Sequence, residues 1–196
     1  LRARGHLHYT SRRRLARLSS PVLDAPPDGW AVDGPPPRAG NRVDVLIDGE
    51  TALAAIVDEL QGARSHVHLT GWFMSPEFVL RDSGEPVVLR NLLAEVARRA
   101  EVRVLLWAGA PLPVFQPSRR TVRRVRDDLR RAGAIACALD TRERPLHCHH
   151  EKTIVVDDRV AFVGGIDLTN FGGDRRDGSD HPARAQLGWH DAAARI

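Results

Sequence analysis

The sequence predicts an α/β protein in which helices sandwich a mixed β-sheet. Three observations carry that expectation. Apolar spacing alternates along the chain between period two and period 3.6, the mark of strands exchanging with helices. A β-hairpin with a tight acidic turn follows the last helical segment, so antiparallel pairing must join the parallel kind. Hydrophobic residues make up 42% of 196 residues, enough to bury a real core.

In chain order the elements read as follows. Val43 to Ile47 alternates as a strand, and Asp48-Gly49 turns it. Ala52, Leu53, Ile56, Val57 and Leu60 fall on one face of a helix that Gly62 should end. His66 to Trp72 is a second strand, with His66 and His68 on one face and Val67 and Leu69 on the other. Leu89, Leu92, Leu93, Val96 and Ala97 predict a helix over Val88 to Ala100. Val102 to Trp107 is a buried strand. Arg119 to Ala132 is a helix with Val122, Val125 and Leu129 inward and arginines outward. Ala134 to Leu139 is a further strand. Lys152 to Val156 and Val160 to Val163 form the hairpin about Asp157-Asp158-Arg159.

Residues 1–40 read differently. Arg12-Arg13-Arg14 and Arg17 make a short basic run, followed by Pro26-Pro27 and Pro35-Pro36-Pro37. Such a stretch cannot bury enough apolar surface, and a loosely ordered leader is expected, with the domain over 41–196. The basic run is best read as solvated, with an anionic membrane surface as its alternative contact. No apolar run is long enough for a membrane span or a signal-peptide core. A net charge of +4 favours anionic partners without choosing between lipid headgroups and nucleic acid. The chain starts at Leu1 and stops at Ile196 inside the strand-like AAARI, so a piece of a longer protein is expected.

The chemistry concentrates in His147 to Asp167, HCHHEKTIVVDDRVAFVGGID. Of 29 Lys and Arg residues only Lys152 is a lysine, which points to a need for a compact ammonium there. On a strand, His150 and Lys152 share a face, roughly 7 Å apart along the backbone. Asp157 ends that strand, where it can cap the turn, and Gly164-Gly165 offers backbone without side chains. An imidazole beside an ammonium suits a phosphoryl group: histidine can attack phosphorus, and lysine can neutralise the equatorial oxygens. Zinc is the competing reading of His147, Cys148 and His149. His149-x-Glu151 opens a deaminase-like motif, but both cysteines, Cys137 and Cys148, lie upstream of where a second ligand pair is needed. No metal and no cofactor are therefore expected.

His150-x-Lys152-x4-Asp157-x6-Gly164-Gly165 resembles the HKD signature of the phospholipase D superfamily. Gly71-Trp72-Phe73-Met74-Ser75-Pro76-Glu77 resembles its Trp-x-Leu-Ser-Pro-Glu segment, and Trp189-His190-Asp191 the Trp-His-Asp that follows the first motif. The resemblance spans about Asn41 to Ile196 and implies a phospholipase D-like α-β-α sandwich, one half of a pseudo-twofold pair. It implies that His150 is nucleophile or leaving-group acid, that Lys152 binds phosphate, and that Asp157 is structural. Asp191 would accept a hydrogen bond from the catalytic ring. Relatives carry Gly-Ser-x-Asn where this chain has Gly164-Gly165-Ile166-Asp167, which leaves the phosphate contacts of Gly164, Gly165 and Asp167 open. The implied reaction is hydrolysis or exchange of a phospholipid headgroup at a membrane surface, through a phosphohistidine. A second histidine must come from a missing C-terminal HKD half or a second copy of the chain. A cardiolipin-synthase-like phosphatidyltransferase, a homodimeric endonuclease using the Arg119 to Arg131 face, and a silent HKD binding module are the alternatives. Nucleic acid is the less favoured partner, since Trp-x-x-Ser-Pro-Glu argues for lipid.

Overall fold

The computed structural model describes residues 39–82, 84–112, 115–142, 148–169 and 191–196. All but the last two residues of the expected leader lie outside the described residues, as do His147, Trp189 and His190. Twelve elements follow in chain order: β1 (Asp44–Ile47), α1 (Asp48–Gly62), β2 (His66–Gly71), β3 (Val79–Arg81), β4 (Val87–Val88), α2 (Leu89–Val96), β5 (Glu101–Trp107), α3 (Arg119–Ala132), β6 (Ile135–Asp140), β7 (Thr153–Val156), β8 (Val160–Gly164) and β9 (Ala192–Arg195). Seven strands make one mixed sheet in the order β1-β9-β8-β7-β2-β5-β6, and β3 pairs with β4 apart from it. An α/β fold with a mixed sheet flanked by helices is what forms.

Parallel pairing is confined to β2, β5 and β6, which are joined by crossovers containing α2 and α3. The remaining pairs are antiparallel. One residue in two along each central strand is buried: Val67 and Leu69, Val102, Val104 and Leu106, Ile135 and Cys137, Ile154 and Val156. Registration places these side by side across the sheet, and they form one cluster with Leu53, Ile56, Val57 and Leu60 of α1, Leu89, Leu93 and Val96 of α2, and Val122, Val125 and Leu129 of α3. Arg195 of β9 points to the same side and pairs with Glu59 of α1. On the opposite side Val45, Ile47 and Val163 remain exposed.

Local chemistry explains the element ends. Ser118 accepts the Thr121 N–H at 3.2 Å and opens α3 at the expected residue. Arg99 donates to the carbonyls of Ala63 at 3.1 Å and Gln61 at 2.6 Å, satisfying the frayed end of α1. At the β7–β8 turn Asp157 and Asp158 both have φ near +54°, and the Arg159 N–H reaches Val156 O at 3.0 Å. Two successive positive φ values belong to the type I′ geometry that matches strand twist, and aspartate tolerates them better than most residues.

One expectation needs correction. The helix expected over Val88 to Ala100 is regular only over Leu89–Val96, because Val88 pairs with Val79 in a hairpin and tighter turns take over from Ala97. That hairpin was not foreseen, since two- and three-residue strands are too short to show a period.

Candidate active site

Parallel β2 and β5 end at Gly71 and Trp107, and antiparallel β7 begins beside them, with Thr153 opposite Thr70. Thr153 is in turn opposite Val163, and Gly164 is opposite Ala193. Four chain segments therefore deliver their flanking residues to one edge of the sheet. It is the edge outside the carboxyl ends of the parallel strands, where α/β proteins place ligands.

His150 and Lys152 arrive there just before β7. Lys152 Nζ stands 3.4 Å from both Nδ1 and Nε2 of the exposed His150 ring. The same ammonium lies 3.1 Å from Asp167 Oδ2, and the two side chains are only 8% and 12% exposed. A cation that far out of water requires a counter-charge, and Asp167 supplies it. Burial pushes the Asp167 carboxyl above its usual range, against the pull of Lys152 and His150, and Asp191 adds to the rise. Thr70, Gly71, Thr153 and Ile166 complete the crevice around this pair.

Aromatic rings wall the other side. The Trp72 ring lies 5.7 Å from His150 and stacks on Trp107 at 6.2 Å with 14° between planes. Trp72 belongs to the segment expected at the sheet edge. Trp107 was read only as a strand residue; its place at the last position of a parallel strand was the available signal. Ser75 ties the segment down, through its N–H to Leu168 O at 2.9 Å and its hydroxyl to Thr169 at 2.9 Å.

Asp157 is not part of this cluster. It sits at the far end of β7, about 16 Å along the strand from Lys152. There Oδ1 accepts the N–H groups of Ser65 at 2.8 Å and His66 at 2.9 Å, and Oδ2 that of Arg64 at 2.9 Å. Placed among the catalytic candidates, Asp157 here holds backbone at the far end of the strand. Desolvation would raise its carboxyl, but the three N–H donors from His66, Ser65 and Arg64 hold it below the usual range. A depressed carboxylate stabilises the fold above its unfolded value, and this contribution is lost as pH falls through the folded one. Asp157→Ala is expected to cost about 2 kcal/mol, from three charge-assisted bonds and an alanine held at positive φ. Urea unfolding at pH 7 and pH 3 should show that difference shrinking in acid, with anion binding at His150 and Lys152 unchanged.

Gly164 and Gly165 lie where neighbouring chain approaches closely. A Cβ on Gly164 would stand 2.3 Å from Ala192 O, and one on Gly165 would stand 1.9 Å from Asp191 Oδ1. The space a side chain would take at both glycines is occupied by Asp191 and β9, and Gly164 also lines the crevice around Lys152 and Asp167. Asp191 reaches the site edge, but its Oδ1 accepts the Ala192 N–H at 2.8 Å. The expected hydrogen bond from the His150 ring to Asp191 is not made, because the carboxylate is turned onto Gly165 and its own backbone.

Both cysteines are free. Cys137 is buried in β6, where desolvation pushes its thiol up to about 11, and Cys148 is exposed. His149 stands 3.5 Å from a Glu151 oxygen and 3.9 Å from one of Asp140. Among the described residues no group of three or more His, Cys, Asp or Glu is arranged to hold a metal ion.

An exposed histidine, a buried lysine and a carboxylate gathered at a sheet edge make an arrangement able to hold an anionic group. Comparison with known proteins points the same way. The chain is 30% identical over 161 residues to phospholipase D zeta 1 of Arabidopsis thaliana, covering 73% of this chain and 14% of that protein. It is 30% identical over 139 residues to phospholipase D A of Dictyostelium discoideum, covering 68% of this chain and 11% of that one. The chain thus spans only a small part of the relatives it matches. No protein-family model matches it. In fold it is similar to Nuc from Salmonella typhimurium, a phospholipase D family member, with TM-score 0.50, 14% identity and coverage of 79% of this chain and 83% of that one. NucT from Helicobacter pylori gives TM-score 0.51 at 10% identity, covering 79% and 84%. The chain resembles the phospholipase D superfamily in sequence and in fold.

Proposed function

We propose that this chain is the first-motif half of a phospholipase D-type phosphodiesterase and transphosphatidylase acting on glycerophospholipid headgroups. The observation that carries the reading is the cluster of His150, Lys152 and Asp167 at the sheet edge, with Lys152 within 3.4 Å of the imidazole. In the proposed reaction an imidazole nitrogen of His150 attacks phosphorus, and the bond to the headgroup oxygen breaks. The departing alkoxide takes a proton from a second histidine, supplied by another HKD motif. Water or an alcohol then attacks the phosphohistidine, returning its own proton to that second histidine and freeing His150. Lys152 neutralises the equatorial oxygens throughout. When phosphate enters, Lys152 exchanges its Asp167 contact for a phosphoryl oxygen.

One motif supplies one histidine, so the 196-residue chain alone is expected to bind anions without turnover. The test combines the purified chain with the separately made second half of its own protein and assays a choline phospholipid and plasmid DNA in parallel. Headgroup release only in the mixture supports the reading. An active homodimer that cuts DNA and ignores lipid would move the assignment to a nuclease, and a fully active monomer would break the two-half mechanism.

The Lys152–Asp167 pair supplies a separate check. Asp167→Asn removes the competing charge and is expected to tighten sulfate binding several-fold at pH 8. Because the Asp167 carboxyl is raised, wild type should approach the variant as pH falls through that value. Calorimetric titration with sulfate at pH 8 and pH 5 measures both; equal affinities at pH 8 would show that Asp167 does not compete for Lys152.

A further inference from the structure

The site has a neighbour that the proposed chemistry does not use. Between β5 and α3 the chain leaves the site edge of the sheet just past Trp107 and returns at Ser118. Ala110 and Ser118 form a β-bridge, and the Ala110 N–H donates to Pro117 O at 2.9 Å, so the neck of this loop is closed. Gly109, at φ +87°, has Ser118 and Arg119 backbone atoms 2.9 Å from where a Cβ would be, so the neck is also tightly packed. Beyond the neck Leu112 and Phe115 stand 56% and 57% exposed, with the Phe115 N–H on Leu112 O at 3.2 Å. Large apolar groups held outward on a closed neck are unusual in a loop that only connects.

Directly after the loop, α3 begins with its arginine face. Arg120, Arg123 and Arg124 are exposed within its first two turns, opposite the buried Val122, Val125 and Leu129. None of the three pairs with a carboxylate among the described residues, whereas Arg126 and Arg131 farther along do. Two exposed apolar side chains, followed in the chain by three exposed guanidinium groups unpaired among the described residues, match an interface with headgroup phosphates outside and acyl chains beneath.

We propose that Leu112 and Phe115, with Arg120, Arg123 and Arg124, form the surface by which this chain docks on an anionic lipid membrane. This inference rests on the phospholipase reading of the adjacent site and adds how the site meets its substrate. Duplex nucleic acid would use the same arginines but gains nothing from an exposed leucine beside the phenylalanine, so lipid is the occupant the residues favour.

The test measures co-sedimentation of the full chain with vesicles of phosphatidylcholine containing phosphatidylglycerol, and with pure phosphatidylcholine. Total binding is not decisive by itself, because Arg12, Arg13 and Arg14 can add to it. The readout is the loss in two variants. Leu112→Ser with Phe115→Ser should weaken binding to anionic vesicles about tenfold or more. Arg120→Gln, Arg123→Gln and Arg124→Gln together should weaken it by about two orders of magnitude at low salt. Unchanged thermal melting keeps a misfolded variant from counting. Wild-type affinity in both folded variants would overturn the proposal. So would arginine-dependent binding to duplex DNA that the serine variant leaves intact while vesicles are ignored. No headgroup release in the two-half assay, with vesicle binding lost as stated, would overturn the phospholipase reading and leave the docking surface standing.

Discussion

His150→Ala, in the chain joined to its second half, is expected to lose essentially all turnover, on the order of 10⁴-fold or more. The reason is particular to this site. A phosphoenzyme route needs a nitrogen lone pair at one point, and the exposed His150 is the imidazole within 3.4 Å of Lys152. His149, next in the chain, is turned toward Glu151 and Asp140 and cannot take over. Lys152→Ala should cost about a hundredfold or more, because a charge clamp on a transferring phosphoryl group is worth several kcal/mol. Lys152→Arg should rescue little, since the cation fits a space only 8% exposed beside Asp167. Single-turnover assays with a radiolabelled lipid phosphate give the decisive readout: the wild type should carry acid-labile label on His150, and the alanine variant none. Near-normal phosphodiesterase activity in His150→Ala would end the HKD reading.

The second large effect concerns stability. Gly164→Ala puts a methyl group 2.3 Å from Ala192 O and 2.6 Å from Ala193 Cα, both backbone atoms of the paired strand. Backbone in a sheet cannot step aside, so β8 and β9 must separate locally. A loss of about 2–3 kcal/mol is expected, and a fall in Tm of about 5–10 °C. Gly165→Ala makes a useful contrast. Its nearest obstacle is the Asp191 carboxylate, the movable end of a side chain. Its cost should stay near 1 kcal/mol, while displaced Asp191 no longer raises the Asp167 carboxyl. Calorimetric melting of the two variants separates the cases, and equal, small losses would show that β9 does not pack over these glycines.

The two glycines also show where reading the sequence stopped. Their spacing from His150 and Lys152 was legible, and so was their lack of side chains. What occupies the space above them was not, because it is filled by residues nearly thirty positions later in the chain. Asp157 was legible as a turn residue, yet its bonds to Arg64, Ser65 and His66 cross more than ninety positions. Trp107 stacks on Trp72 from thirty-five residues away, and nothing in either local pattern couples them.

The sequence by itself determined the alternation of strands and helices, the inward faces of α1 and α3, the turn at Asp157-Asp158 and the pairing of His150 with Lys152. These are local properties: side-chain period, φ preference and adjacency on an extended segment act within a few residues. Only the tertiary structure decided that Asp167 would neutralise Lys152, that Trp72 would lie against the imidazole, and that Asp191 would fill the space over Gly165. Those contacts depend on sheet order, and strand pairing β1-β9-β8-β7-β2-β5-β6 joins segments far apart in the chain. Pairing of that kind is selected by burial across the whole sheet, which no single stretch of sequence encodes.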